Sequence, residues 1–379
     1  LPEDIDNIHN LLLTSNSVRQ LNVISNYSYY KGKYESLYSI CNLCGFIGGK
    51  RLLKERLLYP SIDPDILQLR YDKIECFMKD EMYKCIKQDI HKLTDFDKGL
   101  RKMGLQMIDT TEFLSIKLSY DFCNRIIHHL RSNVKANELY SEYNETIIDY
   151  ETFYKEMNTT FNFPNFTKDR SYFKKGIYED LDELDEEILD TEFKLRLLST
   201  RLSDIITVEK SCKLDNNDKY GYYLYCTKKR SKLLEKKYKN IPNHIINVRD
   251  KHNDVIFEIP SDNFTFKTKD NSNVFIECDI SKMLTTKLYN SIQKMKQLNT
   301  TYWNQSMNTL YTKYNTTLHK FHYMISDIDL SSTSAKLSID NKKPIGNGII
   351  TCLNMRQAIA RKKKGKEAAQ AVMSVLSQK

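Results

Sequence analysis

The stretch Ser36-Leu-Tyr-Ser-Ile-Cys-Asn-Leu-Cys-Gly-Phe-Ile-Gly-Gly-Lys-Arg-Leu-Leu-Lys-Glu-Arg-Leu-Leu-Tyr-Pro-Ser-Ile-Asp63 decides the fold class of this chain. Leu52, Leu53, Leu57 and Leu58 recur at helical spacing, so one face of the helix they form is apolar and destined for a core. Gly48-Gly49 supplies a flexible lead into that helix, and the expected turn there has a positive φ. Pro60 stops it, because proline cannot continue a helix interior. The same residues exclude a phosphate-binding loop. Gly49-Lys50 would need glycine at position 44 and Ser or Thr at 51, where the chain has Cys44 and Arg51, and no other Gly-x4-Gly-Lys-Ser/Thr occurs in the sequence.

Ser36, Leu37, Gly49, Arg51, Leu52, Leu53, Leu57, Leu58, Pro60 and Asp63 fall without a gap on the opening of the core (lever) domain of MutS-type DNA mismatch-repair proteins, which this segment resembles. Arg70, Asp72 and Glu75 continue the resemblance into the next helix. It implies architecture at this point, since the family uses the segment to build its core.

Composition agrees with a mainly α protein. The 379 residues hold only 11 Gly and 7 Pro, which argues for long helices over a turn-rich β fold, and the length allows two or three domains. A formal charge of +9 favours a polyanionic partner if it is concentrated in one place. No apolar run reaches the length of a membrane span, so no membrane partner is expected, and Leu1-Pro-Glu-Asp is too acidic to open a signal peptide. A start at Leu1 leads us to expect a fragment or a processed product. Nine cysteines without framework spacing fit free thiols in a reducing, intracellular compartment. Cys41-x-x-Cys44 lacks the second pair that a zinc site needs, and no metal is expected. The Asn-x-Ser/Thr triplets, such as those at Asn144 and Asn263, follow from an Asn-rich composition.

From Ile66 to Leu130 apolar residues recur at three and four, as in Leu93, Phe96 and Leu100, which reads as successive helices. Residues 131–175 are less regular, with an aromatic loop at Phe161–Phe166. Leu181, Leu184, Ile188, Leu195, Leu198 and Leu202 then mark a long amphipathic helix. Asp182, Asp185, Glu186 and Glu187 are its solvated face, which explains the acidic cluster without a catalytic pair. After Asp215 the period changes to strand-like runs at Tyr222–Thr227, Ile245–Val248, Val255–Ile259, Phe264–Lys267 and Val274–Ile276. Helical spacing returns near Ser281 and persists past residue 320.

A small β insert between two long helices is the second carrier of the resemblance. Gly221, Tyr222, Tyr223, Thr227 and Lys228 are similar to the opening of the MutS clamp domain. Gly176 with Leu181-Asp-Glu-Leu184 resembles the start of the ascending lever helix, Ile325–Ala335 the return to the core, and Lys343-Pro344 the family's Arg-Pro. The resemblance implies a helical core over 1–175, an ascending lever helix over 176–218, a β-rich clamp over 219–280, and a descending helix with return to the core over 281–344. A basic tail, or the remnant of an ATPase-domain start, occupies 345–379, with Arg361–Lys366 leading into a short helix. Neither the mismatch-reading wedge nor a Walker loop is present, so ATP and Mg are expected only where an ATPase domain is supplied elsewhere, and the chain as given is not an enzyme.

Charge picks out the functional candidates. Between Lys219 and Lys239 eight cations face one carboxylate, Glu235, a net +7 within a chain of +9. On a projecting β element these cations would neutralise phosphates without reading sequence. The DNA-binding candidates are Lys228, Lys229, Arg230, Lys232, Lys236 and Lys237, with Lys267 and Lys269 on a later strand. Tyr222, Tyr223 and Tyr225 could stack on bases or pack a core, and the His128-His129 pair packs or caps its helix. The expected role is a sequence-independent clamp on double-stranded DNA in mismatch repair, within a dimer with a MutS-like subunit or beside a separate ATPase-bearing chain. One alternative is a structural DNA-organising or virion protein on a relict MutS body. Another is a fragment of an ATP-driven repair enzyme.

Overall fold

A computed structural model describes residues 10–25, 35–166, 169–217, 221–238, 245–250 and 252–340. The expectations for Lys219, Lys239, Lys343-Pro344 and the 345–379 tail lie outside the described residues. In chain order the helices are α1 (Ser15–Gln20), α2 (Leu37–Cys41), α3 (Ile47–Leu58), α4 (Pro64–Met78), α5 (Met82–Ile90), α6 (Phe96–Gly104), α7 (Thr110–Ser132), α8 (Val134–Leu139), α9 (Asn144–Thr160) and α10 (Glu179–Ile206). Strands β1 (Lys213–Asn217) and β2 (Gly221–Thr227), helix α11 (Lys228–Tyr238), strands β3 (Ile245–Arg249), β4 (Val255–Pro260), β5 (Thr265–Thr268) and β6 (Asn273–Glu277), and helix α12 (Asp279–Asp340) follow. The protein is mainly α with a small antiparallel β region inserted between helices. Two compact units divide it, one of residues 1–156 with 307–379 and one of residues 157–306.

In the first unit local sequence starts most helices. The Asp63 carboxylate accepts from the backbone N–H groups of Asp65 and Ile66, and Pro64 occupies the first turn of α4. Asp95 and Asp109 cap α6 and α7 in the same way. Helix α3 differs, because Phe46 at its N-cap has no side-chain oxygen. Its cap is supplied from α12: Asp329 accepts from the N–H of Gly45 at 3.1 Å and of Phe46 at 2.9 Å.

That contact corrects the expectation for the two glycines. Gly48 and Gly49 lie inside α3. A Cβ on Gly49 would sit 2.3 Å from Asp329 Oδ2, and one on Gly48 2.3 Å from Ser326 Oγ. Glycine is needed because α12 approaches the α3 backbone closely, not because the backbone turns through a positive φ. Leu52, Leu53 and Leu57 are buried as their spacing requires. Truncating Leu57, 3 % exposed, to alanine is expected to cost about 2–5 kcal/mol in urea denaturation. A loss below the range seen for buried leucines would contradict the packing.

Aromatic rings fill the centre of this unit. Tyr150 stacks on Phe321 at 3.7 Å, Phe96 stacks on His322 at 4.7 Å, and the Tyr120 hydroxyl meets His322 Nε2 at 3.1 Å. Beside them Asp327, 2 % exposed, receives Arg56 at 2.5 Å and Lys73 at 3.0 Å. Among the described residues no cation lies within ion-pair distance of Asp329. Burial therefore raises its pKa to about 6, against the hydrogen bonds from Phe46 and Gly45. A carboxyl whose folded pKa lies above its unfolded value of about 3.9 contributes most at low pH and loses that contribution as pH rises through the folded value. Stability attributable to Asp329 should fall between roughly pH 4 and 6 and then level off. Urea midpoints across this range check it, and a profile unchanged by Asp329→Asn would contradict it.

In the second unit α10 runs antiparallel to the 279–306 portion of α12. Tyr178 stacks on Tyr302 at 3.9 Å near one end, and Glu187 pairs with Lys287 at 2.9 Å further along. The leucine stripe of α10 is buried, while Asp182, Asp185, Glu186 and Glu187 stay at least partly exposed. Phe161 and Phe166 pack edge-on against Trp303. At the C-terminal end of α10 a four-stranded antiparallel sheet, in the order β1-β2-β6-β5, and a β3-β4 hairpin bury Leu224, Val274, Ile276, Ile246 and Ile259 on Leu198, Leu202 and Ile206.

All five strand-like runs are strands. Three further features differ from expectation. β1, built from Lys-Leu-Asp-Asn-Asn, has little intrinsic β preference and exists through its pairing with β2, Lys213 opposite Tyr225 and Asn217 opposite Gly221. The basic run 228–238 is helix, not strand. Its Lys, Arg, Leu and Glu residues are strong helix formers, and Leu234 anchors it in the core with no exposure. Helix α12 continues to Asp340 without a break. Its serines there are satisfied within the helix, Ser326 donating to the His322 carbonyl and Ser332 to that of Asp329.

Candidate nucleic-acid interface

Helix α11 begins directly where β2 ends, so the sheet sets its direction. The Lys228 N–H donates to the Ser272 carbonyl at 3.0 Å, and the Arg230 N–H reaches the Thr227 hydroxyl at 3.4 Å. Each residue turns the helix by about 100°. Lys228, Lys232 and Lys236 therefore step round by about 40° each, with Lys229 at the far edge, and the four share an arc of about 100°. Ser231 and Leu234 are buried on the other side, and the exposed Glu235 borders the arc.

All four lysines are exposed, and none has an ion pair or side-chain hydrogen bond to a described residue. The other sequence candidates are committed within the protein. Arg230 is half-buried, with its guanidinium 3.5 Å from the Ser211 carbonyl. Lys237 donates to the Ile206 carbonyl at 3.2 Å and the Thr207 hydroxyl at 3.1 Å, where it offsets the negative end of α10. Lys267 pairs with Glu277 at 2.6 Å. Lys269 lies 4.4 Å over the Tyr223 ring and 4.1 Å over Tyr225, and donates to the Tyr223 hydroxyl at 3.0 Å. These contacts hold its pKa up, the Tyr223 hydrogen bond foremost.

The arrangement carries a stability cost. The first turn of α11 has no acidic residue, and Lys228 and Lys229 stand at the positive end of the helix dipole, where a carboxylate would gain about 0.3–1 kcal/mol. Lysines four apart repel by about 0.2–0.5 kcal/mol per pair. Phosphates along this face would relieve both terms. The shared helical face of these lysines escapes a strand-based reading of the sequence, and the helical composition of Lys228–Tyr238 is the signal that reveals it.

Tyr223, 8 % exposed, lies on the opposite face of β2 from the buried Leu224 and Cys226. His128 and His129 lie near the C-terminal end of α7, with their rings 6.3 Å apart and edge-on. Among the described residues no three His, Cys, Asp or Glu side chains gather as a metal site, and no helix is long and apolar enough to cross a membrane.

Comparison with known proteins places this geometry in context. The family model for MutS domain III matches residues 16–335. A second model, 6,7-dimethyl-8-ribityllumazine synthase, matches residues 318–379, of which the described part is the end of α12. The chain is 28 % identical over 351 residues to the putative DNA mismatch repair protein mutS homolog L359 of Acanthamoeba polyphaga mimivirus, covering 86 % of this chain and 30 % of that protein. It is 26 % identical over 205 residues to the DNA mismatch repair protein MutS of Exiguobacterium sp., covering 53 % and 24 %. Against MutS of Leptospira interrogans it is 41 % identical over 63 residues, 17 % and 7 %. The chain thus spans less than a third of the length of these relatives.

Proposed function

The chain belongs to the MutS domain III family, and from that premise we propose that its β region and α11 grip the phosphate backbone of duplex DNA without reading sequence. The supporting observation is the arc of four lysines, Lys228, Lys229, Lys232 and Lys236, with no partner among the described residues. Phosphate contacts of this kind release condensed counterions and carry no base information. The expected context is mismatch repair, which the relatives' names support over a DNA-organising or virion role.

In this proposal residues 176–218 and 281–344 act as the two lever helices and 219–280 as the clamp. The chain works in an intracellular, reducing compartment, as a dimer with a MutS-like subunit or with a chain that bears an ATPase domain. ATP and Mg would bind that ATPase; the domain III match covers no such domain. Fluorescence anisotropy with duplexes of unrelated sequence, over a salt series, tests the reading. Similar affinities that weaken steeply with salt are expected. Absence of binding at low salt, or binding to one sequence alone, would overturn it.

A further inference from the structure

Beneath α11 two buried thiols face each other across a strand pair. The β1–β2 register sets Lys213 opposite Tyr225, and continuing it by one step sets Cys212 opposite Cys226. The backbone of Cys212 does not pair with Cys226. Its N–H donates to the Ser203 hydroxyl at 3.0 Å and its carbonyl accepts from the Ser199 hydroxyl at 2.8 Å, both on α10. In a ladder continued by that step, a pair whose backbone groups bond elsewhere is of the non-hydrogen-bonded kind, for which Cα atoms stand about 4.5 Å apart. A disulfide spans Cα separations of about 4.4–6.8 Å, so bridging needs little backbone movement. The two side chains belong to one buried cluster, and both are almost fully buried and unbridged.

We propose that Cys212 and Cys226 form an oxidation site, a thiol pair that hydroperoxides close into a disulfide joining the exit of α10 to the end of β2 at the foot of the basic helix. The chemistry has a defined direction. The neighbouring Cys226 foremost favours the Cys212 thiolate, the nearby Arg230 adds to it, and burial opposes it; Cys226 is pushed up correspondingly. The Cys212 thiolate attacks one oxygen of the peroxide, the O–O bond breaks, and the leaving oxygen departs as water after protonation, so that Cys212 becomes a sulfenic acid. The Cys226 sulfur then attacks the Cys212 sulfur, the S–O bond breaks, and the Cys226 proton leaves with the oxygen as a second water. Two thiols lose two electrons and one hydrogen peroxide gains them. Cys278, buried in the same cluster, is otherwise engaged, since its sulfur accepts from the Ser281 N–H at 3.3 Å.

The test uses the full chain. After a brief exposure to hydrogen peroxide, acid quench, denaturation and alkylation of remaining thiols, peptide mapping is expected to find a Cys212–Cys226 link that dithiothreitol reverses. Cys212→Ser and Cys226→Ser should each abolish it, and Cys278→Ser should leave it intact. Both thiols recovered alkylated, sulfinic acid without a link, or a link confined to other cysteines such as Cys41 and Cys44 would each overturn the proposal. Because the primary reading is on the unsubstituted protein, a serine variant that fails to fold leaves the test decisive.

Discussion

Reversing Lys228, Lys229, Lys232 and Lys236 to glutamate together should remove most of the salt dependence of DNA binding while leaving the fold intact. Each phosphate contact contributes about 0.9 to the slope of log affinity against log salt, so losing four flattens it by up to about 3.6. Between about 50 and 200 mM salt the unsubstituted protein should then lose roughly a hundredfold more affinity than the variant. The folded state should tolerate the change, since these side chains are exposed and acidic residues in the first turn of α11 suit its dipole. Lys267→Gln, which gives up only the cation paired with Glu277, should change the slope far less. Equal slopes for the quadruple variant and the parent would remove α11 from the interface. A loss restricted to one duplex sequence would show that the contacts are not to phosphates.

Asp327→Ala should be among the most damaging single changes to stability, at about 3–5 kcal/mol, because it takes the carboxylate from Arg56 and leaves Lys73 only the longer contact to the exposed Glu142 at 3.4 Å. Asp327 is 2 % and Lys73 4 % exposed, so solvent cannot take the carboxylate's place. The pH dependence has a definite sign. Burial pushes the Asp327 carboxyl up, but Arg56 and Lys73 outweigh it and hold its pKa below the usual value. A depressed pKa contributes stability above the unfolded value of about 3.9 and loses it as pH falls through the folded value. Asp327 should therefore steepen acid unfolding below about pH 4, opposite in sense to Asp329, its near neighbour along α12. Replacing Arg56, Lys73 and Asp327 together by apolar residues of similar volume should restore much of the loss, since no charge is left buried without a partner. Thermal denaturation of the single and triple variants checks both statements. A harmless Asp327→Ala would mean that water reaches the two cations.

The long helices and the five strand-like runs were legible because their signals are local. Leu52, Leu53 and Leu57, the α10 stripe from Leu181 to Leu202, and the aromatic and β-branched residues of β2 and β4 carry periods that one chain segment displays unaided. β1 was not legible, because Asp215, Asn216 and Asn217 become strand only through the partner that β2 provides. The basic run was legible as charge and misread as shape, since the neighbouring strands outweighed the helical preference of its own residues.

Composition alone determined that cations concentrate between Lys219 and Lys239, and periodicity alone determined a mainly α chain with a β insert. Tertiary structure decided which cations remain available. Lys237 is held by the end of α10, Lys267 by Glu277 and Lys269 by two tyrosine rings, while Lys228, Lys229, Lys232 and Lys236 share one exposed face. It likewise decided why Gly49 is glycine, through the approach of Asp329 from 280 positions along the chain. A side chain's charge and apolarity are written in its own residue, but its partners come from segments distant in sequence, and only folding brings those within a few ångströms.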